Sequence, residues 1–282
     1  MDYDSALNLL ISNALAEDIG NGDHSTLACI DPGVQGNAQL IIKQDGILAG
    51  IHAAERIFKY AESAIDFTPF RKDGEQVNYG DIAFEVSGSV LTLLTCERLV
   101  LNAMQKMTGI ATLTHLYVSR IKGYDCKILD TRKTTPNFRL LEKEAVRIGG
   151  GYNHRFGLYD MIMLKDNHID FCGGIEKAII KASDYVKSNG LNIKIEVETR
   201  SLDDVKRVMA TGLVDRIMLD NFKPEKVSEA VAVIDNKYET EASGGITIDN
   251  ILDYAKTGVQ FISTGAISHH AVSHDLSLKA VI

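Results

Sequence analysis

Cysteine is scarce: Cys29, Cys96, Cys126 and Cys172 are scattered with no CxxC spacing. Neither a zinc site nor a disulfide framework is expected from that pattern, and reduced, inert thiols are the ordinary reading. Positive charge is also short. Against 38 Asp and Glu stand 30 Lys and Arg, a formal charge of −8. A broad nucleic-acid or anionic-membrane surface is thereby excluded, while a local cationic pocket stays open. No apolar run approaches the ~20 residues of a membrane-spanning helix. The start, "MDYDSALNLLISNALAEDIG", is acidic and helix-periodic, without the basic and apolar regions of a secretory signal. The expected partner is a small molecule, with no nucleic acid and no membrane, and the expected location is cytoplasmic.

What is present suffices for a folded chain. With 282 residues and 45% apolar content, about two domains or one large barrel with additions are expected. Residues 38–87 read as a small α+β unit: "AQLIIK", a turn at Gln44-Asp45-Gly46, a helical "IHAAERIFKYAE", then "AIDFTPF" and "IAFEV" between Asp-Gly and Gly-Asp turns. A long helix follows over about 94–121, with Leu99, Ala103, Met107 and Ile110 on one stripe. Apolar strands then recur at about 126–130, 159–164, 193–198, 216–220, 238–243 and 260–264, separated by helical patterns. Such alternation means parallel βαβ units. Helix starts are expected at Ser201 with Asp204, at Pro224, and at Thr247 ahead of Asp249. About six units suit a barrel. An open doubly wound sheet is the alternative, but Gly149-Gly150-Gly151 follows a helix, not the strand a nucleotide-binding turn requires.

The acidic chain gathers its cations in one span, "TRKTTPNFRLLEKEAVRIGGGYNHRFGLYDMIMLKDNH", residues 131–168. Arg139, Glu142, Lys143, Glu144 and Arg147 alternate sign at helical spacing, as on a solvated helix face. That leaves Arg132, Lys133, His154, Arg155, Lys165 and His168. Barrel enzymes collect functional residues at the C-terminal strand ends, and each expected strand ends in something reactive. In order these are Asp130-Thr131-Arg132-Lys133, Lys165-Asp166-Asn167-His168, Glu198, Asp220-Asn221, Ser243-Gly244-Gly245 and Thr264-Gly265-Ala266. Arg forks bind carboxylates and phosphates bidentately, Lys adds a point charge, and Gly-rich turns admit backbone N–H groups to phosphate oxygens. A strongly anionic ligand is implied. Glu198 and Asp220 could hold Mg²⁺ directly or through water, or could form salt bridges to Lys165 or Arg132. In "KIEVE", Lys194, Glu196 and Glu198 share one face, so the barrel interior near its mouth is expected to be polar.

The segments "EDIGNGDHST", "ERLVLNAMQKMTGIAT", "LDTRKTTPNFRLLEKEAVRIGGGYNHRFGLYDMIMLKDNHI", "IEVET", "IMLDNF", "EASGGIT" and "STGAISHHAVSHDLSL" resemble, in order and spacing, those of the quinolinate phosphoribosyltransferases. Two departures are mild: Asn137 replaces a common glycine and Ser268 a common threonine. The resemblance implies an N-terminal α/β sandwich over 1–110, to which 269–282 return, and an incomplete α/β barrel over 111–268. It implies a reaction, too: quinolinate and phosphoribosyl pyrophosphate give nicotinate mononucleotide, pyrophosphate and CO₂, with Mg²⁺, on the route to NAD. By position, Arg132, His154, Arg155 and Lys165 would hold quinolinate. Lys133, Lys165, Glu198, Asp220, Ser243 to Gly245 and Thr264 to Ala266 would meet the phosphoribosyl group and its metal, and Thr131 joins the substrate-binding set. Lys165, Glu198 and Asp220 would be catalytic. Family members are homodimers with shared sites, so Arg98 would serve the neighbouring subunit, and assembly into hexamers is open. The alternatives are a paralogue acting on another heterocycle, a Schiff-base lyase using Lys165, and a non-catalytic anion-binding protein.

Overall fold

The structure, a computed structural model, describes residues 2–281. Helices α1 (Tyr3–Ile19) and α2 (His24–Cys29) precede strands β1 (Gln35–Ile42) and β2 (Gly46–Ile47) and helix α3 (Ile51–Ala61). Strands β3 (Asp66–Pro69), β4 (Gln76–Val77) and β5 (Ile82–Ser89) lead into the long helix α4 (Val90–Arg120). Next come β6 (Lys127–Leu129), α5 (Arg139–Ile148), β7 (Met161–Leu164), α6 (Asp166–Cys172), α7 (Ile175–Ser188), β8 (Lys194–Thr199) and α8 (Leu202–Thr211). The chain ends with β9 (Arg216–Asp220), α9 (Pro224–Ile234), β10 (Glu239–Ser243), α10 (Ile251–Ala255), β11 (Phe261–Ser263), α11 (Ala266–His269) and β12 (Leu276–Val281). Two compact units result. One holds the residues up to His115, Thr134–Gly150 and those from Ile267 on; the other holds Leu116–Lys133 and Gly151–Ala266.

The first unit is built on the antiparallel sheet β12-β1-β5-β3. Its C-terminal strand pairs with β1, Leu40 opposite Leu278. Strand β1 alternates as a one-sided sheet must, with Ala38, Leu40 and Ile42 buried. Helix α3 buries Ile51, Ala54, Ile57 and Phe58, a stripe at helical spacing. Phe58 meets Phe84 edge-on at 6.3 Å between ring centroids, and Phe67 lies 4.5 Å from Phe84. The start of α3 is capped from a distance: Asp73 Oδ1 accepts the Gly50 and Ile51 amides at 2.6 and 3.0 Å.

Helix α5 also clusters with this unit, and its alternating charges do not form a solvated face. Glu142 and Lys143 are buried, 1% and 2% exposed, and Glu142 Oε2 accepts the Thr135 amide at 3.3 Å. Glu144 accepts from the Tyr3 hydroxyl. Burial, reinforced by that carboxylate, pushes the Tyr3 phenol upward, and burial raises the Glu144 carboxyl. The glycines after α5 are structural. A Cβ on Gly149 would stand 2.4 Å from the Ala111 carbonyl oxygen of α4 and 2.7 Å from Thr114 Cβ, and Gly150 has φ +90°. Gly149→Ala is therefore expected to destabilise the protein by about 3 kcal/mol, as overpacking against backbone does. A denaturant midpoint equal to wild type would disprove the close approach.

The second unit carries the parallel sheet β6-β11-β10-β9-β8-β7. Neighbours follow chain order from β7 to β11, and the last strand returns to the first, as in a barrel. The ring is open because β6 and β7 do not pair; β6 instead makes an isolated bridge from Leu129 to Tyr152. One face presents Ile128, Ile195, Val197, Ile217, Leu219, Ala242 and Ile262, all at most 5% exposed. Two expected helix starts stand: Ser201 Oγ accepts the Asp204 amide at 3.1 Å, and Pro224 is the first residue of α9. The third moves. Helix α10 begins at Ile251 and not at Thr247, whose amide donates to Asn250 Oδ1 at 2.8 Å and closes a turn.

Candidate active site

Parallel strands place all their C-terminal ends at one edge of the sheet, which brings the expected reactive residues of the second unit together. In the β8–β9 and β9–β10 registers Glu198 lies opposite Met218 and Asp220 opposite Ser243. Glu198, Asp220 and Ser243 thus share a face. Lys165, directly after β7, sets its Nζ 3.2 Å from Glu198 Oε2. Ser243 Oγ donates to Asp220 Oδ1 at 2.6 Å and Asn221 Nδ2 to Asp220 Oδ2 at 2.5 Å. Of the two salt bridges weighed for Glu198, the one to Lys165 is present. His168, in the same cationic span, serves the backbone, and its Nδ1 accepts the Lys165 amide at 3.0 Å at the start of α6.

The β6 end organises the other cations. Asp130 is fully buried; its Oδ1 accepts the His154 amide at 2.8 Å and its Oδ2 the Asn153 side chain at 2.5 Å. Thr131 Oγ1 accepts the Lys133 amide at 3.0 Å, which turns the chain and leaves Lys133 exposed. Asp160 accepts the amides of Phe156 and Gly157 at 2.7 and 2.9 Å and closes the loop after Arg155. Arg155 is half-buried, its Nη1 donating to the Met161 carbonyl at 3.1 Å. Burial first, and then the like charge of Arg132, make its guanidinium less basic than usual. Two guanidiniums held this near each other favour an anion between them.

Inside the sheet lies a charged network. His154 Nε2 stands 2.9 Å from Glu196 Oε2 and 3.4 Å from Glu241 Oε2. Arg216 Nη1 lies 2.9 Å from Glu241, and its Nη2 2.9 Å from Glu239, which also meets Lys194 at 2.6 Å. The expected polar interior is thus observed for Glu196 and Glu198, whereas Lys194, the first residue of β8, is exposed. Arg216, Glu239 and Glu241 escaped the sequence reading, although "RIMLD" and "ETEAS" alternate with the same period of two as "KIEVE". Glu196 and Glu241 pull the His154 imidazole upward against the burial that disfavours its charge, but an imidazolium would set an N–H against the Arg155 amide, so the ring is assigned as the neutral Nε2–H form. Burial, then the charge of Glu241, raises the Glu196 carboxyl in turn. Opposing a second ring proton, the Arg155 amide donates to His154 Nδ1 at 2.6 Å. His154 therefore faces buried carboxylates with one nitrogen and supports Arg155 with the other.

The two small turns differ in origin. Gly244 has φ +86°, and a Cβ there would stand 2.3 Å from Asn221 Oδ1; Gly245, at φ +65°, has open space beside it. Only glycine serves at Gly244, whereas the positive φ of Gly245 is one that Asn137 and Asn221 also adopt. The Thr264–Gly265–Ala266 turn is held by its own hydroxyl, Thr264 Oγ1 donating to the Ile246 carbonyl at 3.1 Å and accepting the Ala266 amide at 3.3 Å. Arg98 is an exposed residue of α4 in the first unit. For a metal, His154, Glu196 and Glu241 have ligand atoms within 4.8 Å of one another, but Arg216 already occupies Glu241. Glu198 and Asp220 form no such threesome among the described residues. They offer hard carboxylate oxygens beside a cationic rim, the donor set of an ion that takes its remaining ligands from phosphate and water.

Comparison with known proteins bears on this arrangement directly. Residues 23–108 match the family model for the N-terminal domain of quinolinate phosphoribosyl transferase, and residues 110–279 match that for its C-terminal domain. An Arabidopsis thaliana protein named nicotinate-nucleotide pyrophosphorylase [carboxylating], chloroplastic, is 42% identical over 97% of this chain and 82% of its own. A Bacillus subtilis protein named probable nicotinate-nucleotide pyrophosphorylase [carboxylating] is 40% identical over 98% of this chain and 94% of its own. The solved nicotinate-nucleotide pyrophosphorylase of Francisella tularensis superposes with a TM-score of 0.90 at 40% identity, covering 99% and 97% of the two chains. With both domain models matched in order and the cationic strand-end residues gathered at one sheet edge, the chain belongs to the quinolinate phosphoribosyl transferase family.

Proposed function

We propose that this chain transfers the phosphoribosyl group of phosphoribosyl pyrophosphate to quinolinate with decarboxylation, yielding nicotinate mononucleotide, pyrophosphate and CO₂ for NAD synthesis. The observation that carries the reading is the gathering of Lys165, Glu198, Asp220 and Ser243 at one strand edge, Lys165 Nζ 3.2 Å from Glu198 and Ser243 Oγ 2.6 Å from Asp220. Arg132, Arg155 and Lys165 clamp the two carboxylates of quinolinate and aim the ring nitrogen at C1 of the ribose. Lys133 and the turns at Ser243–Gly245 and Thr264–Ala266 receive phosphate oxygens. Glu198 and Asp220 would hold Mg²⁺, and the ion when bound would supply charge neutralisation for the departing diphosphate. As the C1–O bond breaks, the carboxylates on the same face stabilise oxocarbenium character, and the pyridine nitrogen forms the new bond. When the 2-carboxylate leaves as CO₂, the electron pair of the broken bond stays on C2, stabilised by the adjacent positive ring nitrogen, and then takes a proton. Quinolinate- and phosphoribosyl-pyrophosphate-dependent CO₂ release by the purified protein tests the reading; its absence with other heterocyclic acceptors turned over would favour a paralogous activity.

The Schiff-base alternative requires Lys165 Nζ to attack a carbonyl carbon, whereas that nitrogen is engaged by Glu198 Oε2 at 3.2 Å. No helix among the described residues is long and apolar enough to cross a membrane. We assign the chain to the cytoplasm on its four unpaired thiols. From the family resemblance we assign it to a homodimer in which Arg98 serves the neighbouring subunit. Arg98→Ala and Lys165→Ala proteins, each nearly inactive, are then expected to recover roughly a quarter of wild-type activity when mixed and reassembled, because about half the dimers are hybrids with one intact site. No recovery, with hybrids seen by native mass spectrometry, would remove Arg98 from a shared site.

A further inference from the structure

Glu241 and Arg216 take no part in the chemistry above, yet both are buried within the sheet on which it stands. A cation site is a poor account of Glu241, since Arg216 Nη1 already lies 2.9 Å from it. The contacts instead run toward the clamp. Glu241 and Glu196 face His154 Nε2 at 3.4 and 2.9 Å. The opposite ring nitrogen accepts the Arg155 amide at 2.6 Å, and the Arg155 guanidinium is tied to the Met161 carbonyl at 3.1 Å. Carboxylates only accept hydrogen bonds, so they select the ring orientation that places an N–H on Nε2 and leaves the Nδ1 lone pair for Arg155. A flipped ring would set a C–H against that amide. We propose that Glu241, braced by Arg216, is a positioning residue: with Glu196 it locks the His154 ring and thereby fixes the backbone from which Arg155 reaches its anionic ligand.

The identity of that ligand rests on the phosphoribosyl-transfer reading; the locking itself does not. Glu241→Gln keeps the shape and removes the charge. Quinolinate Kd measured by calorimetry is expected to rise about tenfold in Glu241→Gln and about tenfold in His154→Ala, with no further rise in the double variant, because both act through one contact. The phosphoribosyl pyrophosphate Kd is expected to stay unchanged. Multiplying effects, or equal losses for both ligands, would mean a merely structural role and overturn the proposal. A readout without ligand uses ¹⁵N-histidine and ¹⁵N-arginine labelling. The wild-type His154 Nε2–H signal, assigned by its loss in His154→Ala, is expected to exchange slowly. It should broaden in Glu241→Gln, while the Arg155 Nε–H signal shifts; both signals unchanged would overturn the proposal. If Glu241→Gln does not fold, Arg216→Lys weakens the brace, with the same signals read in the same way. Wild-type protein that binds no quinolinate would sink the functional reading, and the ring signals would still decide the positioning role.

Discussion

Replacing Arg155 by alanine is expected to lower kcat/KM for quinolinate about a hundredfold while leaving the affinity for phosphoribosyl pyrophosphate within roughly threefold. A hydrogen bond to a charged group contributes about 1.5–3 kcal/mol, and a bidentate guanidinium–carboxylate pair lies at the upper end of that range; each 1.4 kcal/mol is roughly a factor of ten. The site adds two reasons for a large effect. Arg155 is half-buried, so its ligand carboxylate is shielded from water, and its guanidinium is already destabilised by burial and by Arg132. An anion that relieves both is bound more tightly than the same anion at an exposed arginine. Arg155→Lys is expected to recover only part of the loss, because an ammonium lacks the fork. The fold should persist, since the side-chain hydrogen bond forfeited among the described residues is that to the Met161 carbonyl. Calorimetric titrations that find equal losses for the two substrates would remove Arg155 from the quinolinate clamp.

Glu198→Gln and Asp220→Asn are expected to shift the Mg²⁺ half-saturation upward at least tenfold and to lower kcat/KM by about two orders of magnitude, since metal-held charge neutralisation contributes several kcal/mol. The competing account makes the two carboxylates partners of Lys165 and Ser243 and nothing more. It predicts a small loss of stability, because the Lys165 side chain is 47% exposed and such a pair contributes little. Asparagine at 220 can still accept from Ser243, so a folded variant is expected. A well-folded double variant with wild-type activity and an unshifted Mg²⁺ titration would establish the structural account.

How much of this was legible in advance follows from the range of each interaction. Strand spacing, the Pro224 start and the reactive residue at each strand end depend on neighbours within a few positions, and those features stand in the structure as read. The start expected at Thr247 failed because Asn250 captures its amide and delays the helix. Helix α5 shows the limit more sharply. Alternating charges at i, i+4 look the same on a wet helix and on one enclosed by other elements, and only packing buries Glu142 and Lys143. Likewise Gly149 is required by a carbonyl of α4, distant in the chain.

The sequence by itself determined the family, the βα alternation and the identity of the strand-end cations and carboxylates, because each is written in local period or residue order. Tertiary structure alone decided which charges face one another. The parallel register sets Glu196 opposite Arg216 and Arg216 opposite Glu239, and so turns three separately alternating strands into one buried network. It also directed His154 inward to Glu196 and Glu241, since a ring's orientation is settled by which acceptors surround it, and those come from strands that are neighbours only in the folded sheet.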